Sequence, residues 1–156
     1  MKRIRIDDQD HRIGPAAVRR SLTDSLGAEH LALTYFELAP GDSFAFGYHA
    51  HARQEEVFVV LEGSVTFETE AGDVVVDVDE VIRFAPGEFQ RGVNAGKEQV
   101  IALAIGAPRD PGELTVFRDC EACGDRTPIS IEWVDEEPAV VTICEACGAE
   151  TGRFTE

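Results

Sequence analysis

Lysine is almost missing from this chain: Lys2 and Lys97 are the only two, and 30 acidic residues face 14 basic ones for a formal net charge of −16. A surface that acidic repels a nucleic-acid backbone, which argues against tight phosphate-backbone binding. Also missing is any apolar run near the eighteen or so residues that a membrane span needs. The opening Met1-Lys2-Arg3-Ile4-Arg5-Ile6-Asp7-Asp8 turns charged at once, so no secretory leader is expected. These absences point to a soluble cytoplasmic protein with no membrane attachment. The middle of the chain has no helical hydrophobic period, and no separate acid, base or nucleophile stands out along it.

Self-repulsion from so much negative charge weakens a compact fold in dilute buffer, but at molar salt the Debye length falls to about 3 Å and the penalty largely disappears. The acid-rich, lysine-poor balance is similar to that of proteins from salt-accumulating halophilic archaea, and a halophilic protein is the expectation. The hydrophobic fraction of 44% over 156 residues is enough for one domain with a small appendage.

Residues 1–28 read as an arm packed on the rest. Within it 3–6 suits a short strand, Gly14-Pro15 marks a turn, and 15–22 is expected to form one or two helical turns before Gly27. From residue 29 the pattern becomes β. Strands are expected over 31–38, 55–61, 64–69, 74–78, 81–84 and 99–105, separated by turns such as Ala39-Pro40-Gly41-Asp42, Glu62-Gly63 and Pro86-Gly87. Closely spaced strands and tight turns imply an all-β antiparallel sandwich or barrel over 29–107. In 43–51 strict alternation would put Phe44, Phe46 and Tyr48 on one face and Ala45, Gly47, His49 and His51 on the other. The aromatic face is then expected to be covered by the arm or by a second subunit. Residues 108–115 read as a linker, and 116–156 as a small second module.

Residues i and i+2 of a strand share a face, so His49 and His51 can aim two imidazoles at one point. A carboxylate five residues on, returned by the next strand, completes two histidines and one acid, a set suited to a divalent first-row metal with open positions. The order Gly41, His49-x-His51, Glu56, Gly63, followed by Pro86-Gly87-Glu88-Phe89-Gln90 and Asn94, resembles the two motifs of the cupin family. That resemblance implies a double-stranded β-helix (jelly-roll) barrel with a metal inside it, held by His49, His51 and Glu56 in preference to the neighbouring Glu55. The chain departs from the family's pattern at Gln90, where the third histidine usually stands. Glutamine offers only a neutral carbonyl oxygen, as a weak ligand or as a group that orients bound water. Iron, manganese, nickel and zinc all remain open. Arg91, beside Gln90, can pair with an anionic substrate or simply balance an acidic surface. His11 and His30 fall outside the pattern.

Cys120-Glu121-Ala122-Cys123-Gly124 recurs as Cys144-Glu145-Ala146-Cys147-Gly148. Two C-x-x-C knuckles at this separation, in a reducing compartment, point to one closed tetrahedral zinc site in a small C-terminal zinc ribbon. Four thiolates leave no open position, so that site is expected to be structural. The acidic residues beside the knuckles favour a protein partner over nucleic acid.

Two functions follow as expectations. One is a metal-dependent enzyme acting on a small molecule, dioxygenase-like or isomerase-like, through His49, His51 and Glu56. The other is a non-catalytic small-ligand sensor whose ribbon contacts a protein partner. Family resemblance and the aromatic face also suggest a homodimer.

Overall fold

The computed structural model describes residues 1–156. In chain order its strands are β1 (Val18–Ser21), β2 (Ala32–Leu38), β3 (Tyr48–His51), β4 (Glu55–Glu62), β5 (Ser64–Thr69), β6 (Gly72–Asp77) and β7 (Val81–Phe84). There follow β8 (Gln90–Val93), β9 (Val100–Ala107), β10 (Leu114–Cys120), β11 (Asp125–Val134), β12 (Ala139–Cys144) and β13 (Glu150–Thr155). One helical turn, α1 (Thr23–Leu26), joins β1 to β2 and ends on Gly27 in the left-handed conformation. No helix is long and apolar enough to cross a membrane.

The strands form two antiparallel sheets in the orders β1-β2-β9-β4-β7 and β13-β12-β11-β10-β3-β8-β5-β6. The barrel strands of these sheets face each other as a double-stranded β-helix, so the all-β fold expected from the sequence is the fold observed. The turn from β4 to β5 shows how the sequence sets it. Gly63 takes φ 76°, and a Cβ there would lie 2.5 Å from the Gln99 carbonyl oxygen, so only glycine lets the hairpin close against β9.

Between the sheets lies one apolar core, in which Phe58, Phe67, Leu38, Val60, Val65 and Val100 are almost fully buried. Phe44 packs its ring edge-on to Phe36 at 5.0 Å and tilted against Phe58 at 4.8 Å. Burying an aromatic side chain of this kind is worth about 1.5–3 kcal/mol in transfer alone, before the packing of ring on ring.

Three local expectations are corrected. Residues 18–21 are strand, not helix, because the whole of β1 pairs with β2, from Val18 opposite Glu37 to Ser21 opposite Thr34. Those ladder bonds outweigh the weak tendency of so short a segment to nucleate a helix. The aromatic stripe does not hold either, because residues 44–47 bend and the alternation fails before β3 begins. Phe44 turns into the core, Phe46 packs on Phe154 and Tyr48 stacks on Phe89, so each ring has a neighbour within the chain. Finally, Gln90–Val93 is strand β8, an additional strand between those expected over 81–84 and 99–105.

The C-terminal segment is continuous with the barrel. Leu114 and Thr115, read as linker, already belong to β10, which pairs with β3 so that Leu114 lies opposite His51 and Val116 opposite His49. Through β10 the three-stranded sheet β11-β12-β13 extends the sheet that carries both histidines.

Candidate metal centre

β3 supplies two histidines to one side, and its register with β8 puts Gln90 directly opposite His49. Facing residues of an antiparallel pair point the same way, so the amide is delivered to the imidazoles. Glu56 arrives from β4 in the other sheet. One ligand atom from each of His49, His51 and Glu56 lies within 4.8 Å of the others. His51 Nδ1 is 3.7 Å from Glu56 Oε2, and the two imidazole centroids are 5.2 Å apart. Glu55 points outward to an exposed ion pair with Arg83 at 2.6 Å and takes no part. Asn94, also in the second motif, is a buried turn brace: its Nδ2 donates to the Leu38 and Glu98 carbonyls.

The ring of His49 is oriented from behind. Its Nδ1 lies 3.0 Å from the Gly47 carbonyl oxygen, which makes Nδ1 the donor and leaves the Nε2 lone pair facing the cavity. Gly47 can be nothing larger, because a Cβ there would sit 2.3 Å from the Phe117 carbonyl oxygen on β10. Gln90 Nε2 then donates toward His49 Nε2 at 3.3 Å and Glu56 Oε1 at 3.4 Å, while its Oε1 is buried with no partner. An amide NH₂ thus faces two of the three electron-pair donors, and a carbonyl goes unsatisfied beside it. A half-turn of the amide exchanges the two atoms and would aim Oε1 at a cation. The donor set therefore fits a divalent ion with three strong ligands and a weaker fourth.

The electrostatics agree. Burial pushes His49 down to about 4, against the hydrogen bond to Gly47 and helped by neighbouring His51, and burial lowers His51 as well. Both rings are held neutral, as metal ligands must be. Burial raises Glu56 to about 7, opposed by the positive charge of Arg19 and the hydrogen bond from Gln90. Its carboxyl keeps a proton well above the usual carboxylate range, and a bound cation would compete with that proton.

These groups open onto a cavity of about 270 Å³. Its apolar wall includes Phe36, Phe44 and Phe58 from the barrel, Leu114 and Val116 from β10, and Ile131 from β11, so the C-terminal segment helps build the site. Arg19 lines it too, delivered by the arm, and Thr34 adds a hydroxyl. Neither Arg19 nor the C-terminal wall was identified from the sequence. Val18-Arg19-Arg20-Ser21 has no pattern that shows which arginine faces in, and the β3–β10 pairing is too distant in sequence to read. Arg91 is not in this cavity. It lies in two other depressions, one of them a more open groove of about 570 Å³ between the arm and the C-terminus. None of the three donors reaches that groove.

The four cysteines form a second cluster. Cys120 and Cys147 sulfurs are 3.6 Å apart, Cys123 and Cys144 sulfurs 3.9 Å, and all four lie within 4.8 Å of one another. Disulfides need sulfurs about 2.05 Å apart. A tetrahedral ion with bonds of about 2.3 Å needs them about 3.8 Å apart, close to the spacing found. Each knuckle turns on its glycine: Gly124 N–H donates to Cys120 O and Gly148 N–H to Cys144 O. The Thr127 hydroxyl lies 3.0 Å from Cys144 Sγ, and chiefly through this hydrogen bond Cys144 is lowered to about 6.

Known proteins place the barrel. The family described as Cupin domain matches residues 34–106. A sugar phosphate isomerase of a cupin superfamily from Silicibacter pomeroyi is 20% identical, with a TM-score of 0.61 over 96% of this chain and 91% of its own. A Cupin 2 conserved barrel domain protein from Salinispora arenicola is 18% identical, with a TM-score of 0.56 over 69% and 88%. A protein with a double-stranded β-helix domain from Klebsiella pneumoniae is 15% identical, with a TM-score of 0.59 over 72% and 88%. At these identities the likeness is one of fold, and no curated protein matches the chain. With its two facing sheets, its paired motifs and its inward donor set, the segment 34–106 matches the Cupin domain family and shares its double-stranded β-helix fold.

Proposed function

We propose that this chain is a metal-dependent cupin enzyme acting on a small oxygen-bearing molecule, by an isomerase-like or dioxygenase-like reaction. A single observation carries the reading: His49, His51 and Glu56 converge, beside the buried Gln90 amide, at the wall of a cavity that is apolar apart from Arg19 and Thr34. His49 Nε2, His51 and Glu56 would hold the ion, with Gln90 as the weaker fourth group. A divalent ion bound there supplies Lewis acidity for a substrate oxygen, or redox capacity if it is iron or manganese. The protein's own part is to keep both imidazoles neutral, to shed the Glu56 proton and to exclude water with the phenylalanine wall. A structural neighbour bears the name sugar phosphate isomerase, which supports the isomerase branch. The sensor reading is favoured by one feature: apart from the donor set, Arg19 and the Thr34 hydroxyl, the cavity wall offers no acid or base.

For the second cluster we propose structural zinc, closed by Cys120, Cys123, Cys144 and Cys147. Elemental analysis tests both sites at once, on the parent, on His49→Ala/His51→Ala and on Cys120→Ser/Cys123→Ser. The expected result is one zinc that the histidine variant keeps and the cysteine variant loses, and a second metal that the histidine variant loses. A parent with no histidine-dependent metal, even after incubation with iron, manganese, nickel or zinc, would overturn the metalloenzyme reading in favour of the sensor.

The pH dependence of loading has a definite sign. A cation binds the Glu56 carboxylate, so the proton that burial retains there up to about pH 7 must leave first, whereas His49 is already neutral above about 4. Affinity for the barrel metal should therefore rise about tenfold per pH unit from 5 to 7 and then level off. Competition titrations against a chelator at pH 5, 6, 7 and 8 measure this, and a flat profile below 7 would remove Glu56 from the ligand set.

A further inference from the structure

We propose that Arg19 makes the barrel cavity a site for small organic oxyanions, its guanidinium pairing with a carboxylate or phosphate while the rest of the molecule lies between the phenylalanine wall and the donor set. This rests on the proposed metal centre, because that centre engages Glu56.

The argument begins with register. Arg19 lies opposite Phe36 in the β1–β2 pair, and Phe36 faces the cavity, so Arg19 faces it too while Val18 and Arg20 face away. Arg20 behaves as an outward residue, bonding the Gln9 carbonyl. Arg19 does not find such a partner. Its main-chain N–H donates to His11 Nδ1 at 3.1 Å, but its guanidinium makes no hydrogen bond and no ion pair with any group of the chain. The guanidinium of this part-buried residue faces the cavity with no acceptor from the chain, and an oxyanion is the ligand that satisfies several of its donors at once.

An inward charge can also serve to protect an exposed sheet edge. Here that edge is already covered: Arg12 N–H bonds the Arg19 carbonyl and His11 bridges to Arg20. Local charge favours the guanidinium only through Glu56, without a direct ion pair. The one carboxylate lining the cavity is Glu56, and the charged neighbour on the arm is Arg12, of like sign. With Glu56 bound to a divalent ion, the cavity holds excess positive charge behind apolar walls. Low dielectric makes that excess favour an anion strongly over a neutral molecule of the same shape. The volume of about 270 Å³ equals that of about nine waters, room for on the order of ten non-hydrogen atoms.

The test uses the full chain loaded with its barrel metal and three probes of similar shape: benzoate, phenyl phosphate and the neutral benzamide. Calorimetric titrations compare the parent with Arg19→Met and Arg19→Lys, and elemental analysis is run on the same samples. The parent should bind at least one of the two anions about 10- to 100-fold more tightly than benzamide. Arg19→Met should abolish that preference with metal content and benzamide binding unchanged, and Arg19→Lys should restore part of it. Whether benzoate or phenyl phosphate binds better identifies the anionic group. A parent that binds benzamide as well as either anion, a parent that binds none of the three, or an Arg19→Met variant that keeps the preference would overturn the proposal. Anion preference dependent on Arg19 in a parent that holds no barrel metal would overturn the metal reading and leave the anion site standing.

Discussion

In the Cys120→Ser/Cys123→Ser variant, β11, β12 and β13 should lose their fixed structure and the barrel cavity should lose one wall. The sulfur spacings of 3.6 and 3.9 Å suit a tetrahedral ion, and such sites contribute on the order of 10 kcal/mol of apparent binding free energy at neutral pH. Little else holds this segment together. Its buried apolar residues are Ile129, Ala139 and Val141, beside Cys120 and Cys144 themselves, while Trp133 and Ile131 are exposed. A core that small does not offset the conformational entropy of ordering three strands. The damage should reach the barrel, because β10 runs from the first knuckle into the β3 edge and places Val116 against His49 and Leu114 against His51. Three measurements check this: zinc content, tryptic cleavage at Arg126 and Arg153, and a thermal melt. Zinc loss, rapid cleavage and a lowered barrel transition are expected. A zinc-free variant with an unchanged melt would show that the cysteines do not hold the segment.

The sequence made some features legible and hid others for physical reasons. Strands β5 and β7 could be bounded to the residue, because Glu62-Gly63 and Asp79-Glu80 are turn signals beside alternating apolar runs. The pair His49 and His51 was legible because period two is a local property. β1 and β8 were not: Val18-Arg19-Arg20-Ser21 and Gln90-Arg91-Gly92-Val93 each hold a single large apolar residue, and their strand character comes from partners in the sheet. The bend at 44–47 is likewise a long-range effect. Gly92 sits so close to Phe44 that a Cβ there would lie 2.6 Å from its ring, so β8 makes the space into which Phe44 turns. Arg19 illustrates the limit most clearly, since its place in the cavity depends on the register of two strands and on nothing in its own neighbourhood.

Gln90 is the one member of the donor set that a single substitution should improve. Replacing it by histidine restores the residue that the cupin motif usually carries there, on a strand position directly opposite His49. Gln90 Nε2 already reaches within 3.3 Å of His49 Nε2 and 3.4 Å of Glu56 Oε1, so an imidazole at this position meets the same convergence point. Imidazole is a stronger ligand than a neutral amide oxygen for iron, nickel or zinc. The exchange also removes the buried Oε1 that has no partner, a group whose desolvation costs about 1–3 kcal/mol. Gln90→His should therefore tighten barrel metal binding by on the order of 10- to 100-fold, the range that even an outer-shell partner commands. The reciprocal change, His49→Ala, deletes a primary ligand together with its orientation by Gly47 and should weaken binding by more than about 100-fold. Chelator competition at pH 7.5, above the Glu56 transition, reads both on one scale, with zinc in the cysteine cluster as an internal reference that neither variant should disturb. If Gln90→His binds no more tightly than the parent while His49→Ala loses the metal, then the ion lies away from the β8 side and the ligand set closes at His49, His51 and Glu56.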